Sequence, residues 1–176
     1  MRCLRPAGFA AVLGAVLLGG CSPALDWREV RPASSDLVTL FPCRPGTEQR
    51  PVQLGGATLP LRLVGCKAAE TTFALALVDL PEPGLANGVL TDLRRHAVDN
   101  IAGQVSREVP FSVPGATPSA GALRIAAAGR LPDGTAIAAH HVFFTRGLKV
   151  YQASVMGARV DADAVETFLE AIKIAP

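Results

Sequence analysis

Residues 122–156 read ALRIAAAGRLPDGTAIAAHHVFFTRGLKVYQASVM, and this stretch decides the fold class. Three apolar runs, 122–131, 135–145 and 148–156, are long enough for strands and too punctuated for one helix. Pro132-Asp133-Gly134 separates the first two runs and Arg146-Gly147 the last two. Asp-Gly is a strong hairpin signal, because a tight turn between twisted strands needs positive φ. The expectation is an antiparallel meander.

Upstream, TTFALALVDL (71–80) is apolar on both faces, with Phe73, Leu75 and Leu77 against Ala74, Ala76 and Val78. A strand of that kind is central and covered on both sides. Residues 58–64 alternate, with Leu59, Leu61 and Leu63 on one side and Arg62 on the other, and 37–41 form a short strand stopped by Pro42. After Pro81-Glu82-Pro83-Gly84 the period changes. Leu90, Leu93, Ala97 and Ile101 make a helical stripe over 87–102, with Asp92, Arg94, Arg95 and Asp99 facing water and Gly103 as the stop. Residues 105–113 read as an irregular strand and 114–121 as a loop. Downstream of the meander, 161–172 form an amphipathic helix with Val165, Phe168, Leu169 and Ile172 on one face. Asp161 and Asp163 are helix-start residues, and Asp163 with Glu166 fits a capping box. The fold class expected is α+β, an antiparallel sheet packed by two helices.

The N-terminus, MRCLRPAGFAAVLGAVLLGGC (1–21), has Arg2 and Arg5 ahead of an apolar, small-residue run. That run is shorter than the roughly 20 residues a membrane span requires, so it reads as a signal peptide. Leu18-Gly19-Gly20-Cys21 resembles the bacterial lipobox. The resemblance implies cleavage after residue 20 and acylation of Cys21, whose chains anchor the protein to a membrane at about 0.8 kcal/mol per buried methylene. Ser22, rather than Asp, follows the cysteine, which by resemblance to enteric sorting points to the periplasmic face of the outer membrane, with the inner membrane as the alternative. The division expected is signal peptide 1–20, lipidated tether 21–35 and globular domain 36–176.

With Cys3 removed and Cys21 lipidated, Cys43 and Cys66 remain in an oxidising compartment, and the even remainder predicts a disulfide. Closing that loop contributes about 3–4 kcal/mol on the chain-entropy model. No CxxC and no neighbouring His marks the pair as a redox or zinc site.

A chain of 176 residues, 18% of them charged, fits one domain able to bury its own core. Lys plus Arg number 17 against 15 Asp plus Glu, and without Arg2 and Arg5 the balance is 15 against 15. Electrostatic capture of nucleic acid needs a clear positive excess, so that class of partner is not expected.

Several short motifs line up with one group of proteins: the Phe41-Pro42 strand, Val78-Asp79-Leu80-Pro81, the meander with Lys149-Val150-Tyr151-Gln152, and the closing Phe168-Leu169-Glu170-Ala171-Ile172-Lys173-Ile174. Their order resembles exported bacterial domains of the PsbP/Mog1-like α+β sandwich, over roughly residues 36–175. More narrowly, Phe41-Pro42-Cys43-Arg44-Pro45, Gly115-Ala116-Thr117-Pro118 and Pro132-Asp133-Gly134 resemble uncharacterised lipoproteins of β-proteobacteria. The resemblance implies assembly and binding roles and supplies no catalytic residues.

Candidate chemistry is sparse. His140 and His141 are adjacent on a strand and point to opposite faces, so they cannot chelate one ion together. His96 lies between Asp92 and Asp99 on a solvated helix face. No HExxH or HxH spacing and no G-x-S-x-G elbow is present, and Gly55-Gly56 and Gly129 lack a phosphate-loop pattern. No catalytic residue, metal or cofactor is expected. The proline-rich loop PFSVPGATPSA (110–120) offers a contact surface at Phe111, Pro114, Thr117 and Pro118. The function expected is a non-enzymatic, membrane-anchored binding or assembly module with an envelope protein as partner. The alternatives are a small-ligand carrier or sensor with a cleft between the sheet and the 87–102 helix, or a hydrolase with a dispersed site.

Overall fold

The computed structural model describes residues 25–175; the expected signal peptide and the lipidation site Cys21 lie outside the described residues. Ten strands and two α-helices follow one another as β1 (Arg28–Val30), β2 (Leu37–Phe41), β3 (Gly46–Leu54), β4 (Ala57–Ala68), β5 (Thr71–Asp79), α1 (Ala86–Asp99), β6 (Gln104–Pro110), β7 (Leu123–Arg130), β8 (Ala136–Arg146), β9 (Lys149–Gly157), α2 (Ala162–Glu170) and β10 (Lys173–Ile174). Seven strands form one antiparallel sheet in the order β3-β4-β5-β9-β8-β7-β6, and β1-β2-β10 form a small second sheet. The class is mixed α+β, with the meander β7-β8-β9 in place and β9, its last strand, at the centre.

Turn chemistry sets this order. Gly134 takes φ +84° at the β7–β8 turn and Gly147 takes φ +55° at the β8–β9 turn, conformations that cost glycine nothing. Gly55 and Gly56, both at positive φ, make the two-residue turn between β3 and β4. β3 itself is absent from the sequence expectations, since Pro51 argues against a strand; as an edge strand it has no ladder partner on its outer side and tolerates proline. The irregularity expected near 105–113 is a register shift in β6 between Val105 and Arg107.

One face of the large sheet is sealed by α2 and the small sheet. Phe41 of β2, Phe73 of β5 and Phe168 of α2 meet edge-to-face at centroid distances of 5.1 and 5.4 Å, and Phe144 stacks on Tyr151 at 4.9 Å. The Cys43–Cys66 disulfide ties the end of β2 to β4, joining the two sheets covalently. Trp27 packs against Phe73 and β1 pairs with β2. The stretch expected as tether is therefore part of the fold from Leu25 onward, because Trp27 and Val30 have apolar surface to bury.

The start of α2 also differs from expectation. Asp161, not Asp163, is the cap, its carboxylate accepting from the Ala164 N–H at 2.8 Å. Glu166 does not close a capping box. It pairs with Arg124 of β7 through two contacts of 2.8 and 2.5 Å, a bidentate geometry that wins over a backbone N–H.

Candidate functional site

The opposite face of the sheet is covered by α1 alone. Val89, Leu90, Leu93 and Ala97 recur at helical spacing and are buried against β5, β8 and β9. The helix is held at both ends. At its start Gly88 touches Gly55, and the Gly55 N–H donates to the Asp92 carboxylate at 2.8 Å. That bond and the Arg95 guanidinium hold the Asp92 carboxyl below its usual range. At its end Ile101 O accepts from the Arg130 N–H at 2.6 Å, an approach that only glycine at 129 allows: a Cβ there would stand 2.1 Å from the Ile101 oxygen.

Between these two fixings the helix spans a cleft of about 560 Å³. Its floor is the run of small side chains on β5 (Thr72, Ala74, Ala76), continued by Gln152, Ser154 and Met156 of β9 and by His141 of β8. Leu61 and Leu63 form one wall, with Leu93, Ala97 and Ile101 on the other. The cleft exists because β5 is asymmetric in size. Its bulky Phe73, Leu75 and Leu77 all face α2, leaving alanines under α1.

Three polar side chains meet on this apolar floor. His141 Nδ1 lies 2.8 Å from Ser154 Oγ, and Gln152 Nε2 donates to the same Oγ at 3.0 Å while standing 3.5 Å from His141 Nδ1. A Ser154 hydroxyl that accepts from the amide can give its own proton to Nδ1, which places hydrogen on Nε2 of the neutral imidazole, or accept a second bond from an Nδ1–H. Burial, helped by the neighbouring His140, pushes His141 down to about 4, so the ring is neutral throughout the physiological range. Its Nε2 is buried and has no hydrogen-bond partner among the described residues. A buried unpaired N–H costs about 1–3 kcal/mol.

As a catalytic pair these groups are poorly matched. A general base works best with a pKa near the operating pH, and His141 lies well below it. Binding suits the arrangement better: an apolar cleft with few convergent polar groups is the usual form of a small-molecule site.

The other sequence candidates lie elsewhere. His140 faces α2 beside Arg124 and Glu166, half-buried, and its pKa is lowered by burial and then by Arg124. His96 lies on the rim of the cleft with its ring 3.0 Å from the Arg95 guanidinium; Asp92 serves Gly55 and Arg95 instead. In the 110–120 loop Phe111 is half-buried against Phe144, while Pro114, Thr117 and Pro118 are exposed. That loop is pinned: Thr117 N–H donates to Thr145 O at 2.7 Å, and Arg146 donates to Gly115 O at 2.9 Å. Among the described residues no group of three His, Cys, Asp or Glu is placed to hold a metal, and no helix is long and apolar enough to cross a membrane.

The sequence reading offered a cleft between the sheet and the 87–102 helix as an alternative only, and it missed the polar floor. The missed signal is alternation in size, Thr72-Ala74-Ala76 against Phe73-Leu75-Leu77. Ser154 and Gln152 join His141 only through the β8–β9 register, which sets His141 opposite Ser154. No known family model matches the chain, and no curated protein matches it.

Proposed function

We propose that this protein is a lipid-anchored domain of the bacterial cell envelope that binds a small apolar ligand in the cleft beneath α1. The observation that carries the reading is the 560 Å³ cleft, apolar on its walls, with the His141–Ser154–Gln152 group on its floor. The lipobox-like Leu18-Gly19-Gly20-Cys21 supports the anchor, and Cys21→Ala is expected to leave unprocessed, unacylated precursor. A seven-stranded antiparallel sheet with one helix on each face supports the PsbP/Mog1-like reading. Binding without catalysis follows from a serine held in two hydrogen bonds beside a weakly basic imidazole.

The test is extraction of the purified, membrane-derived protein with organic solvent, read by mass spectrometry beside an Ala74→Trp variant that fills the cleft. A small apolar compound retained by the native protein and lost from the variant supports the reading. Identical extracts from both overturn it. A second reading, docking of an envelope protein on the 110–120 loop, is favoured by exposed Pro114 and Pro118 on a loop already held in one conformation. In-cell crosslinking tests it: a partner lost when both prolines are replaced supports it, and a partner unaffected by the change removes it.

A further inference from the structure

Among the side chains that line the cleft, His141 carries the buried polar atom left without a partner, its Nε2. The ring is held from behind at Nδ1 by Ser154, and the tautomer with hydrogen on Nε2 is the favoured one, because an Nδ1–H would face the Gln152 amide hydrogens across 3.5 Å. Nothing among the described residues accepts that hydrogen, and because the nitrogen is fully buried a ligand oxygen reaches it only when the side chains over it part. Ala74, Ala76 and Met156 around it are apolar; the other polar groups of the lining are Thr72, His96 and Asn100, with the charged Arg50 on the exposed strand β3 at the edge of the cleft.

We infer that the ligand is an apolar molecule carrying one uncharged acceptor oxygen, a ketone or ester carbonyl, which takes the hydrogen bond from His141 Nε2. The inference rests on the cleft being a binding site. An uncharged oxygen is specified because a carboxylate at the floor would lose its hydration against a single neutral donor, with no cation beside it. An alkane of the same length would leave the donor unpaired and lose the discrimination that a hydrogen-bonding site provides.

2-Decanone, decanoate and decane serve as probes, titrated into the native protein and followed by amide and imidazole ¹H–¹⁵N spectra. The native protein is expected to bind 2-decanone about three- to tenfold more tightly than decane, with a shift of the His141 Nε2–H resonance. A His141→Phe/Ser154→Ala variant, which removes the donor and its hydroxyl partner together, is expected to bind both equally. His141→Gln, which keeps an N–H donor, should restore part of the preference. Thermal unfolding of each variant confirms that it is folded.

Equal affinity of the native protein for ketone and alkane, or an unmoved Nε2–H resonance on binding, overturns the ligand class and leaves the cleft as a site. Preference for decanoate also overturns it, moving recognition to Arg50. Failure of every probe to perturb the cleft resonances overturns the ligand class together with the binding site on which it rests.

Discussion

The two faces of one sheet are built to different ends. The face under α2 carries the bulky residues of β5, the Phe41–Phe73–Phe168 cluster and the disulfide, and its centre is closely packed, with hollows only at its margins. The face under α1 carries the small residues of the same strand, and its helix is fixed at its ends with a cleft between. On the proposed function, stability and binding fall to opposite sides of β5, and a residue's effect on folding depends on which side it faces. Dense packing on one side permits incomplete packing on the other.

The largest expected effect comes from breaking the filled side. Phe168 has no exposed surface and touches two other rings, so Phe168→Ala is expected to cost about 3–5 kcal/mol. Urea unfolding checks it; a loss below about 1 kcal/mol means this face is not the stabilising one. Next is the covalent tie. Replacing both Cys43 and Cys66 by Ala releases a link across 23 residues and is expected to cost about 3–4 kcal/mol. Because the disulfide joins the small sheet to the large one, its loss should raise hydrogen exchange in β1 and β2 before it does so in β8.

These two faces were unequally legible in the sequence. The meander, the long apolar strand and both helices were readable, since period and turn residues are local properties. The Cys43–Cys66 pairing followed from cysteine arithmetic and compartment. β1 and β3 were not legible. The first is three residues long and exists only through pairing with β2; the second contains Pro51, which an edge position excuses. Within the site, strand alternation puts His140 and His141 on opposite faces, as found, but the partners of His141 come from a neighbouring strand, and register is decided by the whole sheet. The open space itself was encoded in side-chain size rather than in hydrophobicity, and a binary pattern of apolar and polar residues discards that information.

Acid sharpens the comparison from the cleft side. Folded His141 titrates near 4 against 6.5 for an ordinary histidine, so between these values the unfolded chain holds the extra proton. Stability is then complete above about pH 6.5, falls as the pH drops through this window, and levels off near 4 for this group. The full effect is about 3 kcal/mol. Half-buried His140, also lowered, contributes in the same direction. The carboxylates of Asp92 and Glu166, both held low, lose their contributions only at more acidic pH. Urea titrations at a series of pH values should show the slope, and His141→Gln should remove most of it. A slope unchanged in that variant assigns the acid sensitivity to other groups.

The smallest effect is the most direct test of the difference between the faces, because it uses one substitution at two neighbouring positions. Ala153 of β9 is fully buried on the filled face, opposite Leu75, whereas Ala74 of β5 is half-buried on the cleft floor, opposite Ser154. Added methylenes at 153 have no space and must push side chains out of their rotamers, so Ala153→Leu is expected to cost about 1–3 kcal/mol. At position 74 the same methylenes enter the cleft and bury apolar area, which offsets the rotamer entropy lost, and the net change is expected to stay within about 1 kcal/mol of zero. Midpoints of chemical unfolding for the two variants, measured side by side, decide the matter. Equal destabilisation at both positions means that the α1 face is packed as tightly as the other and has no room for a ligand. Destabilisation confined to position 153 leaves the cleft as space that the fold does not need, and Ala74→Leu then becomes a folded variant in which that space is partly occupied.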